Sequence, residues 1–437
     1  MYVTADKRVL MAGAAIAIAA GLSSPAAAQS ARGELASASK VDSNFARDRN
    51  VSVMQRPREG YQAVGLRAGA FMAYPKLSLG VENNDNIYAT DGRETEDLIW
   101  RVAPELSIAS DWSRHSLNAY ARASLLRYQD FDTENSEDLS LGASAQLDLQ
   151  RNSYISLGAD WADLVEPRTS PNAAVGALAP TEYETTAARV GISHELNRLR
   201  LSGGYSFKGF DYEDGRNRLG AAISQQYRDR DEHTLTARAD YAVSPATALF
   251  VELNRNSRDY RLDRPAVTLV RDSEGTQALV GSNFEVGAAA RGEIAVGYFS
   301  QEYDDPTIRD VDGFGARAQV EWFPTPLTTI TLTGSRTIEE SAALNSAAFT
   351  SSNVGVKVDH ELMRNVIITG QLAQGTDEYQ GVTREDDRFN AGLSATYLLN
   401  RNVGLTVAYN HMDMDSSGIG GQDFKVNKFG ATLALQF

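Results

Sequence analysis

Residues 139–149, LSLGASAQLDL, alternate apolar and polar side chains without interruption. Every odd position holds leucine or alanine, and every even position holds serine, glycine, glutamine or aspartate. A period of two is typical of a β-strand with two different faces, whereas an amphipathic helix spaces its apolar residues three and four apart. The segment therefore predicts a strand whose two faces meet different surroundings.

The same alternation recurs along the chain, as in residues 234–243 (TLTARADYAV), 388–398 (RFNAGLSATYL) and 428–437 (KFGATLALQF). A strand of a globular protein usually has about 5 or 6 residues. A tilted strand that crosses a membrane needs about 9 to 11 residues. The length of these segments therefore favours a membrane wall over a soluble β-sandwich.

The connections between strands also alternate in length. Short turns at residues 150–153, 196–199 and 399–402 are separated by longer polar segments such as 167–182 and 213–230. Outer-membrane barrels have short periplasmic turns and longer outer loops. An open sheet edge cannot face lipid, because its unpaired backbone groups would be unsatisfied there. We predict an all-β fold, a closed antiparallel transmembrane β-barrel over residues 76–437 with about 18 strands, 16 being the alternative count.

The N-terminus has the pattern of a secretory signal peptide over residues 1–28. Lys7 and Arg8 precede an apolar run at residues 9–22, and a small-residue site with Ala26 and Ala28 places the cleavage before Gln29. A retained membrane anchor is the alternative. Residues 29–75 are predicted to form a periplasmic arm or a segment tucked into the lumen, and their first part, up to about Arg58, is polar.

Composition excludes several classes of function. A net charge of −15 and a pI near 4.9 exclude the basic surface that nucleic-acid binding needs. Cysteine is absent, which excludes disulfides and thiolate metal sites. The body of the chain offers no run of about 20 apolar residues, as a membrane-spanning helix would require.

Assigning the apolar face to lipid turns a set of charged side chains toward the lumen. The candidates for the pore lining are Arg122, Asp148, Asp160, Arg189, Arg238, Asp240, Glu252, Glu293, Arg317, Glu321, Lys357 and Arg388. Both signs are present, so two interpretations stay open. The charges form cross-strand ion pairs that stiffen the wall, or they line a hydrated and selective path.

Aromatic residues near strand ends are expected to face lipid in two interfacial belts. They are Tyr128, Phe131, Trp161, Phe207, Tyr260, Tyr303, Trp322, Tyr379, Tyr397, Tyr409 and Phe437. In the last segment, Phe429, Leu433, Leu435 and Phe437 form one apolar row. This row resembles the C-terminal signal that the outer-membrane barrel insertion machinery recognises, and we predict that it serves assembly.

The sequence offers no evident catalytic or metal-binding motif. The five histidines are scattered, and no nucleophile-elbow or paired-histidine pattern accompanies them. The acidic segments 83–86, 302–305 and 384–387 lack the spacing of a calcium-binding loop. No catalytic, cofactor-binding or metal-ligating residue is therefore assigned, and no enzyme activity or cofactor is expected.

The stretch from Arg56 to Trp112 resembles the outer-membrane family known as β-barrel porin 2. The resemblance rests on Arg56-Pro57, Tyr61, Gly65, Gly69 and the segments AFMAYP (70–75), NNDNIYAT (83–90) and RVAPELSIASDWSRH (101–115). The chain departs from the family pattern where Asn83 and Asn84 replace an expected aromatic residue. The resemblance implies a location in the Gram-negative outer membrane and an association with exopolysaccharide export.

Our leading hypothesis is thus an outer-membrane channel that passes exported polysaccharide through a polar lumen. The alternatives are a general diffusion porin for small hydrophilic solutes, a lipid-modifying barrel enzyme, and a structural or adhesive barrel that does not conduct. The expected partners are outer-membrane lipid and lipopolysaccharide, the barrel insertion machinery and periplasmic polysaccharide-export proteins.

Overall fold

The computed structural model describes residues 51–261, 270–343 and 346–437. The predicted signal peptide, its cleavage site at Ala26, Ala28 and Gln29, and the arm up to residue 50 lie outside the described residues. Within the described residues, no helix is long and apolar enough to span a membrane.

The strands of the wall are long and regular. The first nine are β1 (Phe71–Asn84), β2 (Asp97–Ser110), β3 (Ser116–Tyr128), β4 (Ser136–Gln150), β5 (Ser153–Val165), β6 (Glu182–Leu196), β7 (Leu199–Tyr212), β8 (Arg230–Ser244) and β9 (Thr247–Tyr260). The others are β10 (Ser273–Val286), β11 (Ala290–Tyr303), β12 (Val311–Thr325), β13 (Thr328–Glu340), β14 (Ala348–Met363), β15 (Val366–Tyr379), β16 (Glu385–Leu398), β17 (Val403–Ser417) and β18 (Phe424–Gln436).

The sheet closes on itself through its first and last wall strands. β1 pairs antiparallel with β18, in a register from Lys76 opposite Gln436 to Asn84 opposite Lys428. Among the described residues the sheet has 19 strands. One of them is the three-residue strand Leu66–Ala68, which pairs there with the start of β1 alone, so 18 strands form the ring. The prediction of a closed antiparallel barrel with about 18 strands is confirmed. The wall begins at Phe71 rather than at residue 76, because Phe71 to Pro75 pair with β2.

The lengths of the connections distinguish the two ends of the barrel. Residues 151–152, 197–198, 245–246 and 364–365 are tight turns at the end that also holds the start of β1 and the end of β18. The connections at the opposite end are longer, among them residues 85–96, 166–181 and 213–229. By the convention of outer-membrane barrels, the first end is periplasmic and the second is outer.

The two faces of the wall differ as the alternation predicts. Val251 lies opposite Val280, which in turn lies opposite Val296, and all three side chains are exposed on the outer side of the wall. The neighbouring positions Phe250 and Leu279 are buried on the inner side. This outer row is the surface that meets lipid.

Part of the predicted aromatic belt faces the wrong way. Tyr128, Tyr260, Tyr303 and Tyr379 stand on the inner face at the outer ends of their strands, and the last two are buried. The expectation that they face lipid is wrong, because side chains an even number of residues apart share one face of a strand, and these tyrosines share the face of inward-pointing residues such as Arg122, Glu252 and Glu293. Trp322, Tyr397, Tyr409 and Phe437 are exposed on the outer face, where they were expected.

Candidate functional site: the lumen and its two mouths

Ion pairs between strands that are not neighbours identify the inner face directly. Arg317 on β12 donates to Glu252 on β9, with Nη2 3.0 Å from Oε2. Arg238 on β8 donates to Glu293 on β11 at 2.8 Å. Two strands intervene in each case, so the side chains can meet only across the concave side of the wall. The face that carries them lines the lumen.

These pairs belong to one cluster of five charged side chains, all of them pore-lining candidates from the sequence. Arg238 also donates to Asp240 at 2.8 Å and to Glu252 at 3.2 Å, and its guanidinium lies 3.7 Å from the centre of the Phe250 ring. Arg317 reaches Glu293 at 2.9 Å. Buried carboxylates are stable only when they are paired and hydrogen-bonded, and each of these three has an arginine partner.

A second cluster covers the inner face from β2 to β6. Arg122 donates to Glu105 at 3.1 Å, and Arg189 lies 2.8 Å from Asp160. The Tyr120 hydroxyl donates to Asp160 at 2.8 Å and so connects the two pairs, since Arg122 packs over the Tyr120 ring.

Glycine makes room for this second cluster. A Cβ on Gly142 would lie 2.4 Å from an Asp160 oxygen and 2.5 Å from the Tyr120 ring. A Cβ on Gly158 would lie 2.5 Å from Nε of Arg189. The absence of side chains at these two positions lets the polar groups lie flat along the wall.

The remaining candidates also stand on the inner face, but with partners that the sequence analysis did not single out. Glu321 pairs with Arg291 at 2.5 Å, Lys357 with Asp359 at 3.1 Å and Arg388 with Asp377 at 2.7 Å. The missed partners hold the same alternating positions in their own strands. Following the face assignment along every strand would have found them.

Asp148 has a different role from the other candidates. It lies at the periplasmic end of β4, where it accepts hydrogen bonds from the His115 backbone N–H at 3.1 Å and from the Gln146 amide at 2.8 Å. It therefore stabilises the turn between β2 and β3.

The outer mouth is bridged by loops from opposite sides of the barrel. Asn172, in the connection after β5, accepts the Ala342 N–H at 2.9 Å and donates to the Glu340 carbonyl at 3.1 Å. Residue 342 follows β13, which lies eight strands away in the ring of 18. Tyr227, in the connection after β7, donates to the Ala342 carbonyl at 2.7 Å. The bridges cross the opening and divide it.

Two buried ion pairs stabilise the loops that form the bridges. Arg228 donates to both oxygens of Glu166, at 2.9 and 2.8 Å, and both side chains are buried. Burial lowers the pKa of Arg228, but the charge and hydrogen bonds of Glu166, together with Tyr212 and Tyr227, outweigh burial and raise that pKa above its ordinary value. Arg168 donates to both oxygens of Glu134 at 3.0 and 2.8 Å. Bidentate pairs of this kind fix orientation as well as distance.

In the outer part of the lumen, apolar side chains of the inner wall pack into clusters. One apolar cluster joins Ala89 of the connection after β1 to inner side chains of β17 and β18, namely Met412, Met414, Phe424 and Val426. Another joins Tyr183, Phe210 and Tyr212 on β6 and β7. Apolar burial in the first cluster holds the connection after β1 inside the barrel.

The periplasmic mouth is partly covered by the described end of the N-terminal arm. The Val53 N–H donates to the Thr329 hydroxyl at 2.9 Å, and Gln55 accepts a hydrogen bond from Arg291 at 2.7 Å. Arg56 and Arg58 both reach Glu361, at 3.4 and 3.3 Å. Burial lowers the pKa of Arg58, and Glu361 opposes that effect.

The arm crosses the opening on its way to the wall. Its contacts lie on β11, β13 and β14, whereas the chain enters the wall at β1. β11 is eight strands from β1 in the ring of 18, which is almost the opposite side.

The described residues contain little that suggests catalysis. Ser153 Oγ lies 2.6 Å from Nδ1 of His194, but both side chains stand on the outer face of the wall. Within the described ranges no acidic side chain hydrogen-bonds to either residue, and no group of three or more His, Asp or Glu could hold a metal ion. A hydrolase would need an orienting group for the histidine.

The model of the family "Putative beta-barrel porin 2" matches residues 58–437. The chain belongs to this porin family. The protein is therefore an outer-membrane β-barrel porin, located in the bacterial outer membrane. The family is one of channels, which favours conduction over catalysis.

Several solved structures are similar to this chain at low sequence identity. OpdK of Pseudomonas aeruginosa is 14% identical, with 84% of this chain and 99% of that chain covered and a TM-score of 0.43. OccK2 (OpdF) of the same organism, in complex with glucuronate, is 11% identical, with coverage of 87% and 100% and a TM-score of 0.46. A BenF-like porin from Pseudomonas fluorescens Pf-5 is 11% identical, with coverage of 84% and 99% and a TM-score of 0.44. No curated protein matches the sequence. These similarities carry no information about the solute of this porin.

Proposed function

We propose that this porin conducts small hydrophilic solutes by diffusion. The observation that carries the proposal is the bridge between Asn172 and residues 340–342, which joins opposite sides of the outer mouth. A bridged opening passes molecules that fit between the loops, but it obstructs a long polymer.

The inner wall supports the same conclusion. Its middle is lined by paired charges that lie flat against the strands, which leaves a hydrated space suited to polar solutes. Barrels of 16 to 18 strands are wide enough for such an aqueous channel. The arm and the loops then set the size limit at the two ends.

The hypothesis of polysaccharide export came from the family resemblance, and it has weaker support. The family match covers porins in general and names no polymer. A polymer channel would require both the outer bridge and the periplasmic arm to move aside. Diffusion of small solutes requires neither movement.

Reconstitution tests the proposal. In liposomes that contain the purified porin, we expect swelling in monosaccharides, slower swelling in disaccharides and none in a dextran. In the producing bacterium, deletion of the gene should leave the surface polysaccharide unchanged. Loss of that polysaccharide without any change in the uptake of small solutes would contradict the proposal and favour export.

A further inference from the structure

Charged side chains in the middle of the inner wall are exposed unequally according to sign. Four cationic side chains are each more than 40% exposed: Arg122 at 55%, Arg189 at 44%, Arg317 at 43% and Lys357 at 42%. The carboxylates paired with them are far less exposed: Glu105 at 23%, Asp160 at 20%, Glu252 at 8% and Asp359 at 3%. In each of these four pairs, the positive group is more exposed to the channel than the negative group.

The asymmetry has a simple physical origin. Arginine and lysine have longer side chains than aspartate and glutamate, so in each pair the carboxylate lies against the wall and the cation covers it. At Asp160 the carboxylate is held down further by the Tyr120 hydroxyl, at 2.8 Å. At Glu252 it is held by Arg238 at 3.2 Å as well as by Arg317. A solute in the lumen therefore meets the ammonium or guanidinium group before the carboxylate.

The four cations form a belt around the lumen. Each lies near the middle of its strand, Arg122 in β3, Arg189 in β6, Arg317 in β12 and Lys357 in β14. In the ring of 18, β3 and β6 lie on one side, and β12 and β14 lie on the opposite side. Charges spaced around a low-dielectric wall act together on an ion that passes between them.

The excess of exposed cations does not extend along the whole length of the wall. At the periplasmic end of β6 and β7 the order is reversed, since the Glu195 side chain is 42% exposed and its partner Arg200 is 17% exposed. The sign of the charge exposed to a solute therefore changes with depth in the lumen. The cationic belt lies between the two mouths.

We infer that Arg122, Arg189, Arg317 and Lys357 make this porin selective for small anionic solutes. The inference rests on the proposed function, because it assumes that the lumen conducts. It also names the class of solute, molecules that carry a carboxylate or phosphate group. The guanidinium group suits these ligands because it presents several N–H donors in a planar fork.

Planar bilayers give a direct test with the wild-type porin. Under a potassium chloride gradient, the reversal potential should show a higher permeability for chloride than for potassium. The same preference should appear for gluconate over potassium in a potassium gluconate gradient. Equal permeabilities or a preference for potassium would overturn the inference while leaving the porin function intact. A protein that conducts no ions would overturn both proposals.

Variants locate the selectivity. In the quadruple variant R122Q, R189Q, R317Q and K357Q, the preference for chloride should be lost. The reversal potential should then move toward the equilibrium potential of potassium. The matched control is R255Q with R336Q, which removes two exposed arginines that also pair with glutamates, Glu274 and Glu378, but on the outer face of the wall. The control should keep the wild-type preference, and an equal shift in both variants would contradict the assignment.

A single-site test avoids any dependence on the folding of the quadruple variant. The chain contains no cysteine, so K357C places one unique thiol in the belt. An anionic methanethiosulfonate should modify this thiol faster than a cationic one of similar size, and the modification should change the current. A faster reaction with the cationic reagent would count against the inference.

Discussion

The side chain of Asn172 binds the backbone on both sides of Ser341, accepting the Ala342 N–H at 2.9 Å and donating to the Glu340 carbonyl at 3.1 Å. The loops that hold the two partners arise from opposite sides of the barrel, so this contact narrows the outer mouth. We predict that N172A raises the single-channel conductance and the size limit in liposome swelling. Each lost hydrogen bond contributes about 1 kcal/mol, which is enough to let the loops separate more often.

A second asparagine gives the control for this variant. Asn217 accepts hydrogen bonds from Leu219 and Ala221 within its own loop, at 2.9 and 3.0 Å. N217A removes local hydrogen bonds but no bridge, so its conductance should equal that of the wild type. A similar increase in both variants would show that loop order in general, rather than the bridge, sets the opening.

The arm at the periplasmic mouth should be held by Glu361, whose carboxylate forms ion pairs with both Arg56 and Arg58. We predict that E361Q weakens this attachment, because Arg58 is buried and would keep no carboxylate partner there. The expected result is larger fluctuation of the current and faster proteolysis near residue 56. The control is D111N, which breaks the exposed pair of Arg67 and Asp111, and exposed pairs of this kind contribute only about 0–1 kcal/mol.

The cluster around Arg238 should be the most sensitive part of the wall. Removal of its guanidinium in R238Q leaves Asp240 without its ion-pair partner and weakens the pairing of Glu252 and Glu293. Breaking a buried pair typically costs about 3–5 kcal/mol, so unfolding of the barrel in urea should shift by an amount of that order. R255Q, which affects only an exposed pair with Glu274, should change the midpoint very little.

Arginine substitutions distinguish the two faces of β8. Ala239 lies opposite Val251 in the lipid-facing row, whereas the Thr236 hydroxyl donates to Asn254 inside the lumen at 2.7 Å. Arginine on the lipid face near the bilayer midplane costs about 2–4 kcal/mol. A239R should therefore reduce the heat-modifiable folded form on gels, and T236R should reduce it much less. Equal effects would count against the assignment of the faces.

The row formed by Phe429, Leu433, Leu435 and Phe437 remains a predicted assembly signal. Phe437 is exposed on the outer face, and its N–H donates to the Pro75 carbonyl at 3.2 Å. We predict that deletion of Phe437 lowers the amount of porin in the outer membrane, while the molecules that do assemble conduct normally. Wild-type amounts in the membrane would show that the insertion machinery does not need this residue.

Several features followed from local sequence alone. The alternation in residues 139–149 predicted strands, and their length predicted a membrane wall, because the period of two and the thickness of a bilayer are both local constraints. Because successive side chains of a strand point to opposite sides, the alternation also assigned a face to each charged residue. In the structure, Arg238, Glu252 and Arg317 all lie on the inner face.

The aromatic residues show where local reasoning failed. Tyr303 and Trp322 both lie near strand ends, but the ring of Tyr303 is buried inside the outer mouth and Trp322 is exposed on the outer face. Position near a strand end does not decide the side, since that depends on the alternation within the strand and on which loops fold inward. Val311 and Ala347, against which Tyr303 packs, come from other parts of the chain.

By itself, the sequence determined the class of fold, the approximate number of strands and the face of charged residues such as Arg238, Glu252 and Arg317, because these depend on period, length and turn spacing. Only the tertiary structure decided which charges meet, as in the contact of Arg317 with Glu252 across two intervening strands. It also decided that Asn172 bridges the outer mouth and that cations rather than carboxylates are exposed in the middle of the channel. These properties depend on strand register, wall curvature and loop packing, which bring together residues far apart in the chain.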